Sequence, residues 1–380
     1  MNITRPPKIN VLFVLGQLGA GGSERVVLDL ARHLDRDAFT VYAVYFSEGE
    51  LLFQFKEVCQ KVFFVEKKKG FDLKAIWRLA GIIRRNHIDV VNAHHYAQYF
   101  YSFAGAKIFN RCRLIFTEHA VSEIETMPKK HRQLCRLLFY QTDAIIGISE
   151  QITDCFRKAF PGHSRKMATI RNGLDIERFL ETVDRTALRA GWGIQTADFV
   201  IGMVANFRRV KNHTCLIKAV HLLKNEFPQI RLVLTGQRFP NDPENTEPEI
   251  RDLVHSLDLD PIVIFTGYRD DIPNLLKTFD LFCLPSFSEG LPVSVLEAMA
   301  SGIPVIGSDV LGINETISHE ETGLLFPSDD AEFLSRAIQR LIREPQLCSV
   351  LKENAFDQIL QSHSMDQWVN KYQMLFRGVI

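Results

Sequence analysis

Short apolar runs recur along the chain, and each is separated from the next by a longer stretch in which apolar residues repeat with helical spacing. In the first half, the runs typical of buried strands are residues 9–15, 40–46, 62–65, 90–93, 114–117 and 144–148. Strands that alternate with helices indicate a parallel sheet covered on both faces. The first half is therefore predicted to be a doubly wound α/β domain.

The same alternation begins again after a weakly patterned stretch at residues 181–198. Its strand-like runs are residues 199–204, 232–236, 263–268 and 280–284, and a segment rich in Pro, Asp, Glu and Asn at residues 240–248 predicts a loop. A chain of 380 residues suits two domains of about 150 to 200 residues each. We therefore predict two Rossmann-like domains, residues 1–185 and 186–360, which face each other across a cleft.

Composition is that of an ordinary globular protein, since 46% of the residues are hydrophobic and 24% are charged. No apolar run approaches the roughly 18 residues that a membrane helix needs, and the short apolar N-terminus is interpreted as a strand and not as a signal peptide. The seven cysteines are scattered without a metal-binding spacing, as expected in a reducing compartment. We therefore expect a cytoplasmic protein without a metal site.

Charge is distributed unevenly between the two halves. Residues 1–185 carry 28 Lys and Arg against 20 Asp and Glu, whereas residues 186–380 carry 17 against 25. The basic half suits an anionic lipid surface or a phosphate-bearing acceptor, and mutual attraction between the halves is an equally open explanation. Residues 127–139 mix basic and apolar side chains at helical spacing. They form either a helix that lies on the inner face of a membrane or a buried amphipathic helix with a solvated basic edge. Nucleic acid is not expected as a partner.

Polar residues follow several predicted strands, which is where open parallel sheets place their ligands. His94 and His95 follow one strand, and Glu118 and His119 follow another. A glycine-rich turn at residues 16–25 follows the first strand, but it lacks the third glycine of a dinucleotide-binding fingerprint. The sequence therefore does not favour an NAD enzyme.

The loop before the predicted helix at residues 293–300 carries the clearest chemistry. Pro292 suits the first helical turn, and Leu291 is a poor N-cap. The amides of Gly290, Leu291 and Val293 are therefore expected to seek an acceptor. An anion at a helix N-terminus satisfies such amides, and a glycine permits its close approach. The loop is predicted to hold a phosphate.

Two carboxylates flank this predicted phosphate site. Glu289 lies in the loop, and Glu297 lies about 7.5 Å along the helix axis from Pro292. This spacing suits a diphosphate at the helix tip, a ribose at Glu297 and another polyol near Glu289, which together describe a nucleotide-sugar. For the pair taken alone, two glutamates that solvate a helix face are the simpler explanation.

At these residues the chain resembles the retaining glycosyltransferases of family four, also called group 1. The resemblance rests on the loop with its two glutamates, on Glu297-Ala298-Met299-Ala300-Ser301-Gly302-Ile303-Pro304-Val305-Ile306 and on Glu321-Thr322-Gly323-Leu324-Leu325. It implies the B-type fold of two Rossmann-like domains, with residues 361–380 returning to the N-terminal domain. It also implies a nucleotide-sugar donor with uridine as the commonest base, a glycan or lipid-linked acceptor, retention of configuration and no metal cofactor.

The resemblance implies three catalytic residues. Lys211 matches the lysine that holds the donor diphosphate, where a positive charge neutralises the leaving group. His119 matches the histidine that touches the donor sugar near its reacting carbon. Glu289 matches a carboxylate that acts as a nucleophile or orients the sugar and steadies positive charge, and both roles stay open.

The resemblance also implies binding residues in both domains. The donor-binding positions are Gly290, Leu291, Val293, Glu297, Arg208, Gly236 and Tyr268. The acceptor and cleft positions are Gly21, Gly22, Glu24 and His94. Asn206 stands where many members have an arginine, so Arg208 or Arg209 is expected to supply that cation. The segment Gly312-Ile313-Asn314-Glu315 is a further match near the cleft.

Other functions fit the same architecture. A nucleotide-sugar isomerase or a phosphorylase would release no glycosylated acceptor. A sensor or scaffold without catalysis would keep Lys211 and Glu297 for binding, and the presence of Glu289 argues against it. The favoured hypothesis is a glycosyltransferase of cell-surface polysaccharide synthesis, cytoplasmic or peripheral at the membrane.

Overall fold

The computed structural model describes residues 7–19, 21–68, 70, 72–236 and 244–378, and the chain divides into two compact units. Unit 1 comprises Met1–Gly173 together with Asp366–Ile380, and unit 2 comprises Leu174–Met365. The division thus follows Gly173, whereas the sequence pattern placed it near residue 185. The last segment joins unit 1 at Asp366, whereas the sequence placed this return at residue 361.

Ion pairs explain why the segment after Gly173 belongs to unit 2. The guanidinium of the buried Arg189 donates to the carbonyl oxygen of Thr278 at 2.9 Å and to Asp280 at 2.6 Å. Arg185 also pairs with Asp280. Because charged contacts hold Arg185 and Arg189, the hydrophobic pattern around these two residues is weak.

Unit 1 contains a seven-stranded parallel sheet with the order β3-β2-β1-β4-β5-β6-β7. The strands are β1 (Ile9–Gln17), β2 (Phe39–Ser47), β3 (Lys61–Phe64), β4 (Val90–His94), β5 (Arg113–Glu118), β6 (Ala144–Gly147) and β7 (Met167–Thr169). The strand order reverses between β1 and β4, and ligands of such sheets bind at the carboxyl ends of the strands beside this reversal. Only β7 was not predicted, because it has three residues.

Helices cover this sheet. They are α1 (Gly22–His33), α2 (Leu52–Val58), α3 (Leu73–Arg85), α4 (Tyr96–Phe103), α5 (Val121–Glu125), α6 (Lys129–Phe139) and α7 (Glu150–Ala159), with a π-helix at Ala104–Ile108 and a 3-10 helix at Pro161–Lys166. Strand β4 is buried along its whole length, and β1 is buried through its central apolar residues 11–15, as strands covered on both faces require.

Unit 2 contains a six-stranded parallel sheet with the order β10-β9-β8-β11-β12-β13. The strands are β8 (Phe199–Val204), β9 (Ile230–Thr235), β10 (Val263–Gly267), β11 (Leu281–Leu284), β12 (Val305–Ser308) and β13 (Leu324–Phe326). The reversal lies between β8 and β11. The prediction of two parallel-sheet α/β domains is confirmed, although β12 and β13 were noted only as motif residues.

The helices of unit 2 follow its strands. They are α8 (Glu177–Leu180), α9 (Arg185–Ala190), α10 (His213–Leu223), α11 (Glu247–Ser256), α12 (Ile272–Leu276), α13 (Val293–Ala300), α14 (Ile313–Thr316), α15 (Ala331–Arg343) and α16 (Pro345–Ser362), with a 3-10 helix at Arg209–Lys211. The loop predicted at residues 240–248 is wrong at its end, because Glu247 and Pro248 form the first turn of α11, where proline costs no hydrogen bond. Residues 240–243 lie outside the described residues.

The last helix, α17 (Met365–Arg377), packs within unit 1. The ring of Phe376 lies 6.1 Å from the rings of both Phe13 and Phe39. Arg113 donates from Nη1 to the carbonyl oxygen of Phe376 at 3.0 Å. These aromatic contacts fix the end of the chain against β1 and β2.

Two classes of feature are absent from the described part of the chain. None of its helices is long and apolar enough to cross a membrane. Nor does this part contain three or more His, Cys, Asp or Glu side chains grouped so that they could hold a metal ion.

Candidate active site

The loop between β11 and α13 ends in a helix start without a side-chain cap. Pro292 takes the N-cap position with φ −76° and ψ 90°, one residue earlier than the predicted first turn. Among the described residues, no group accepts a hydrogen bond from the amides of Gly290, Leu291 or Val293. The start of α13 therefore presents donors and the positive end of a helix dipole, which together suit a phosphate.

The carboxylate of Glu289 is held by an ammonium and a hydroxyl. Lys211 Nζ donates to Glu289 Oε1 at 2.6 Å and to Oε2 at 2.9 Å. Ser286 donates from Oγ to Oε1 at 2.6 Å. The side chains of Lys211 and Glu289 are only 21% and 10% exposed, so the pair is shielded more than a surface salt bridge. The residues assigned separately to the diphosphate and to the sugar are thus bound to each other.

Backbone contacts join the loops that carry this pair. Phe287 donates its amide to the carbonyl oxygen of Val210 at 2.8 Å. Strands β8 and β11 are neighbours, so the two loops emerge side by side from the carboxyl edge of the sheet. The position of Lys211 is fixed further by Asn212, whose side-chain amide donates to Asp329 at 3.0 Å.

The loop that contains Gly312 packs closely against the backbone of Glu289. A Cβ atom at Gly312 would lie 2.4 Å from the carbonyl oxygen of Glu289 and 3.0 Å from its Cβ. Gly312 also has φ +84° and ψ −45°, a conformation that a side chain disfavours. Next to it, the carbonyl oxygen of Leu311 accepts from the amide of Glu289 at 3.2 Å. The loop before α14 therefore sets where Glu289 lies.

Arg208 and Arg209, the two candidates to replace the family arginine at Asn206, differ in their surroundings. The side chain of Arg209 is 73% exposed and lies 3.7 Å from Glu249. Arg208 is half-buried and forms a backbone bridge with Asn245. Because Arg209 is at the surface, Arg208 is the better candidate for the cation missing at Asn206.

The remaining donor-binding predictions lie on three elements of unit 2. A Cβ at Gly236 would lie 1.9 Å from the carbonyl oxygen of Ala205, so this glycine lets the ends of β8 and β9 approach. Tyr268 follows β10 and is 40% exposed. Glu297 is half-buried in α13, one turn beyond Val293 and on the same side of the helix.

In unit 1, two buried histidines are bonded to each other. His94 at the end of β4 and His119 after β5 approach at 2.9 Å, between Nδ1 of the first and Nε2 of the second. Burial, together with the charge of His95, lowers the pKa of His94 to about 3, and burial lowers the pKa of His119 well below its usual range. Both rings are therefore neutral near pH 7, and one donates its single N–H to the other.

A second polar contact lies beside this histidine pair. Glu118 Oε1 accepts from the amide of His119 at 2.8 Å and lies 3.1 Å from His95 Nδ1. His95 has φ +66°, which is uncommon for a residue with a side chain. The ends of β4 and β5 thus hold His94 and His119 in fixed positions.

The Gly-Gly-x-Glu motif forms one local unit at the start of α1. Gly21 occupies the N-cap, Gly22 begins the helix, and the buried Glu24 accepts from Ser23 Oγ at 2.8 Å. A Cβ at Gly21 would lie 2.4 Å from Glu24 Oε2. The glycine therefore makes room for the carboxylate to fold back over the helix start.

Comparisons with known proteins match both halves of the chain. A family model described as "Glycosyl transferases group 1" matches residues 184–358, and one described as "Glycosyltransferase Family 4" matches residues 20–178. The chain belongs to the group 1 glycosyltransferases. The family predicted from the loop motif is thereby confirmed.

Relatives of this group 1 glycosyltransferase span its length. It is 26% identical over 374 residues to N-acetyl-alpha-D-glucosaminyl L-malate synthase of Bacillus anthracis, covering 95% of this chain and 94% of that protein. It is 22% identical to UDP-Gal:alpha-D-GlcNAc-diphosphoundecaprenol alpha-1,3-galactosyltransferase of Escherichia coli, covering 94% of each. HepE of Anabaena, solved with UDP and glucose, shares its fold with a TM-score of 0.86 at 22% identity, covering 97% of this chain and 99% of that one.

Within this glycosyltransferase, the structure brings some predicted residues together and separates others. Lys211, Glu289 and the start of α13 lie at one edge of unit 2, whereas His94, His119 and the Gly21 motif lie in unit 1. Ser286 was not predicted, because a serine in a loop gives no distinguishing signal. The support from Gly312 to Glu289 was also missed, because it requires the path of a separate loop.

Proposed function

We propose that this glycosyltransferase transfers a sugar from a nucleotide-sugar, with a UDP-sugar as the first choice, to a glycan or lipid-linked acceptor with retention of configuration. The observation that carries the proposal is the Lys211–Glu289 ion pair beside the unpaired amides of Gly290, Leu291 and Val293, at and just before the start of α13. This arrangement offers positive groups to a diphosphate and a carboxylate to the adjoining sugar.

In the proposed reaction, the bond between the anomeric carbon and the diphosphate breaks, the acceptor hydroxyl oxygen bonds to that carbon, and the hydroxyl proton passes to the departing diphosphate. Negative charge grows on the leaving diphosphate, where Lys211 and the amides of Gly290 and Leu291 stabilise it. Positive charge grows at the anomeric carbon, where Glu289 stabilises it or attacks as a nucleophile. The proposal assigns no metal ion to this step.

The names of the relatives support the proposed donor and acceptor. HepE was solved with UDP and with UDP-glucose, and the Escherichia coli enzyme is named for UDP-Gal and a diphosphoundecaprenol-linked acceptor. A lipid-linked acceptor would favour an enzyme of cell-surface polysaccharide synthesis that works in the cytoplasm at a membrane surface.

The test of the proposed function is product analysis with purified protein. UDP-sugars are first screened by thermal shift, since a ligand at 100 times its dissociation constant stabilises a protein by about 2.7 kcal/mol. The stabilising donor is then incubated with and without candidate acceptors. Without an acceptor, slow release of UDP is expected. With an acceptor, an α-linked donor should give an α-linked product, because the proposed transfer retains configuration. An isomerised donor would indicate an isomerase, and binding without turnover would indicate a sensor.

Lys211→Ala should weaken UDP binding by about 1.5–3 kcal/mol, the range for hydrogen bonds to a charged group. The change removes the ammonium that, together with the amides at the start of α13, is proposed to hold the diphosphate. Isothermal titration with UDP measures the effect. Arg209→Ala is the matched control, because this neighbouring cation lies at the surface beside Glu249. Equal affinity of a folded Lys211→Ala protein and the parent would disprove the diphosphate assignment.

Helix α6 is our candidate for membrane contact. Cys135 and Phe139 are buried, whereas Leu137 is 67% exposed beside the exposed Lys130 and Arg136. Helix α6 thus has one buried face and an outer face that is both apolar and basic. Arg132 is not part of that outer face, because its guanidinium donates to the carbonyl oxygen of Ile124.

Binding to vesicles that contain anionic lipid should therefore weaken as salt rises, with about 1 kcal/mol from each exposed basic residue of α6. Leu137→Ser should weaken sedimentation with these vesicles, because it removes the exposed apolar side chain. Leu360→Ser is the matched control, since Leu360 is an exposed leucine of unit 2. Equal sedimentation with neutral and anionic vesicles would show that this face is only solvated.

A further inference from the structure

A cavity of about 450 Å³ lies in unit 2 beside the C-terminal end of α13. Its volume falls within the roughly 300–1,000 Å³ of small-molecule sites. Four apolar side chains line it, from α8, the segment after α8 and α16: Phe179, Leu180, Val183 and Phe356. The cavity is open to solvent on one side, so these side chains can cover one face of a short apolar body.

Two cations line the same cavity with N–H groups that lack acceptors. The ammonium of Lys277 is buried, and no described group accepts a hydrogen bond from it. The Nε atom of Arg185 is likewise buried without an acceptor, although its Nη2 atom binds Asp280 and the carbonyl oxygen of Phe279. A buried ammonium without an acceptor costs several kcal/mol, so Lys277 calls for an anion. Arg185, whose side chain is 42% exposed and already pairs with Asp280, can add its Nε donor.

The nearby acceptors are already engaged. Asp280 accepts from Arg185 through Oδ1, and from Arg189 and the amide of Val200 through Oδ2. The one acid that lines the cavity, Glu181, is exposed.

Three carbonyl oxygens in the last turn of α13 bind backbone amides and not Lys277. The carbonyl oxygen of Glu297 accepts from Ser301, that of Ala298 from Ile303, and that of Met299 from Gly302.

We propose that this cavity binds a small organic anion, a phosphate or carboxylate carried on a short apolar body. Lys277 and Arg185 donate to the anionic group, and the phenylalanine, leucine and valine side chains pack against one face of the body. This cavity adjoins Ala300 and Ser301, whereas the proposed diphosphate site lies at Val293. The two ends of α13 are about 12 Å apart at about 1.5 Å per residue, so both ligands fit at once.

The test is isothermal titration of the full chain with hexyl phosphate in the presence of saturating UDP. One hexyl phosphate is expected to bind per chain, about tenfold or more tightly than inorganic phosphate or hexanol. Inorganic phosphate lacks the apolar body, and hexanol lacks the anionic group. Hexanoate in a parallel titration distinguishes a carboxylate ligand from a phosphate ligand. Binding that UDP displaces would overturn the proposal, as would no binding of either hexyl anion.

Variants assign the binding to this cavity. Lys277→Gln should weaken hexyl phosphate binding about tenfold or more, because it removes a charged donor. Lys218→Gln, at an exposed lysine of α10, should leave it unchanged. Val183→Trp should fill the cavity and abolish binding while it keeps both cations. Equal affinity of the Lys277→Gln protein and the parent would refute the site. If UDP itself fails to bind, the same titrations without UDP still test the cavity, so the two proposals fail separately.

Discussion

Glu289→Gln should lower the single-turnover rate of sugar transfer by about 10²–10³, the effect of removing one electrostatic group that stabilises a transition state. Gln is nearly isosteric with Glu, so it keeps the contact to Ser286 while it removes the negative charge that we propose lies beside the reacting carbon. The measurement is a single-turnover assay with the donor identified by thermal shift. A Glu289→Gln protein that transfers sugar at the parent rate would show that the carboxylate is structural.

The same change should tighten UDP binding. Lys211 gives two of its three N–H groups to Glu289, so the carboxylate competes with a diphosphate for the ammonium and also repels it. We expect a gain of about tenfold in affinity, or about 1.4 kcal/mol, from isothermal titration with UDP. Glu297→Ala is the contrasting variant. If Glu297 binds the ribose as we propose, its loss should weaken UDP and UDP-sugar equally and raise KM more than it lowers kcat.

Gly312→Ala should lower kcat by about 10²-fold, because a misplacement of about 1 Å in a reacting group has an effect of this size. The new Cβ would lie 2.4 Å from the carbonyl oxygen of Glu289, and a backbone atom so close must move. Steady-state kinetics should show a larger loss in kcat than in UDP affinity, because Lys211 and the amides of α13 remain. The positive φ should also lower the free energy of unfolding by about 1–3 kcal/mol.

Gly193→Ala separates the effect of strain at a positive φ from the effect of displacing Glu289. Gly193 has φ +71°, and a Cβ there would meet no atom within 4 Å. This variant should therefore lose stability in denaturant titration and keep the parent kcat. If Gly312→Ala and Gly193→Ala lower kcat equally, then the effect of Gly312→Ala comes from general strain and not from displacement of Glu289.

The local pattern of apolar and polar residues was sufficient to predict most strands and helices and the loop that carries Glu289. The apolar runs at 9–15 and 199–204 correspond to β1 and β8, because a strand buried on both faces must be apolar throughout. The very short β7 and β13 have too few residues for a pattern, and their pairing partners define them. The segment at residues 181–198 lacked a pattern because Arg185 and Arg189 anchor it through charge.

Two parallel α/β domains, the uncapped start of α13 and the family could all be predicted from the sequence, since each depends on residues close together in the chain. The contacts of Lys211 with Glu289, 78 residues away, and of His94 with His119, 25 residues away, could be seen only in the folded structure. The strand order explains this difference. Placing β8 beside β11, and β4 beside β5, brings loops from distant parts of the chain to one sheet edge, and hydrophobic periodicity along the sequence does not encode which strands become neighbours.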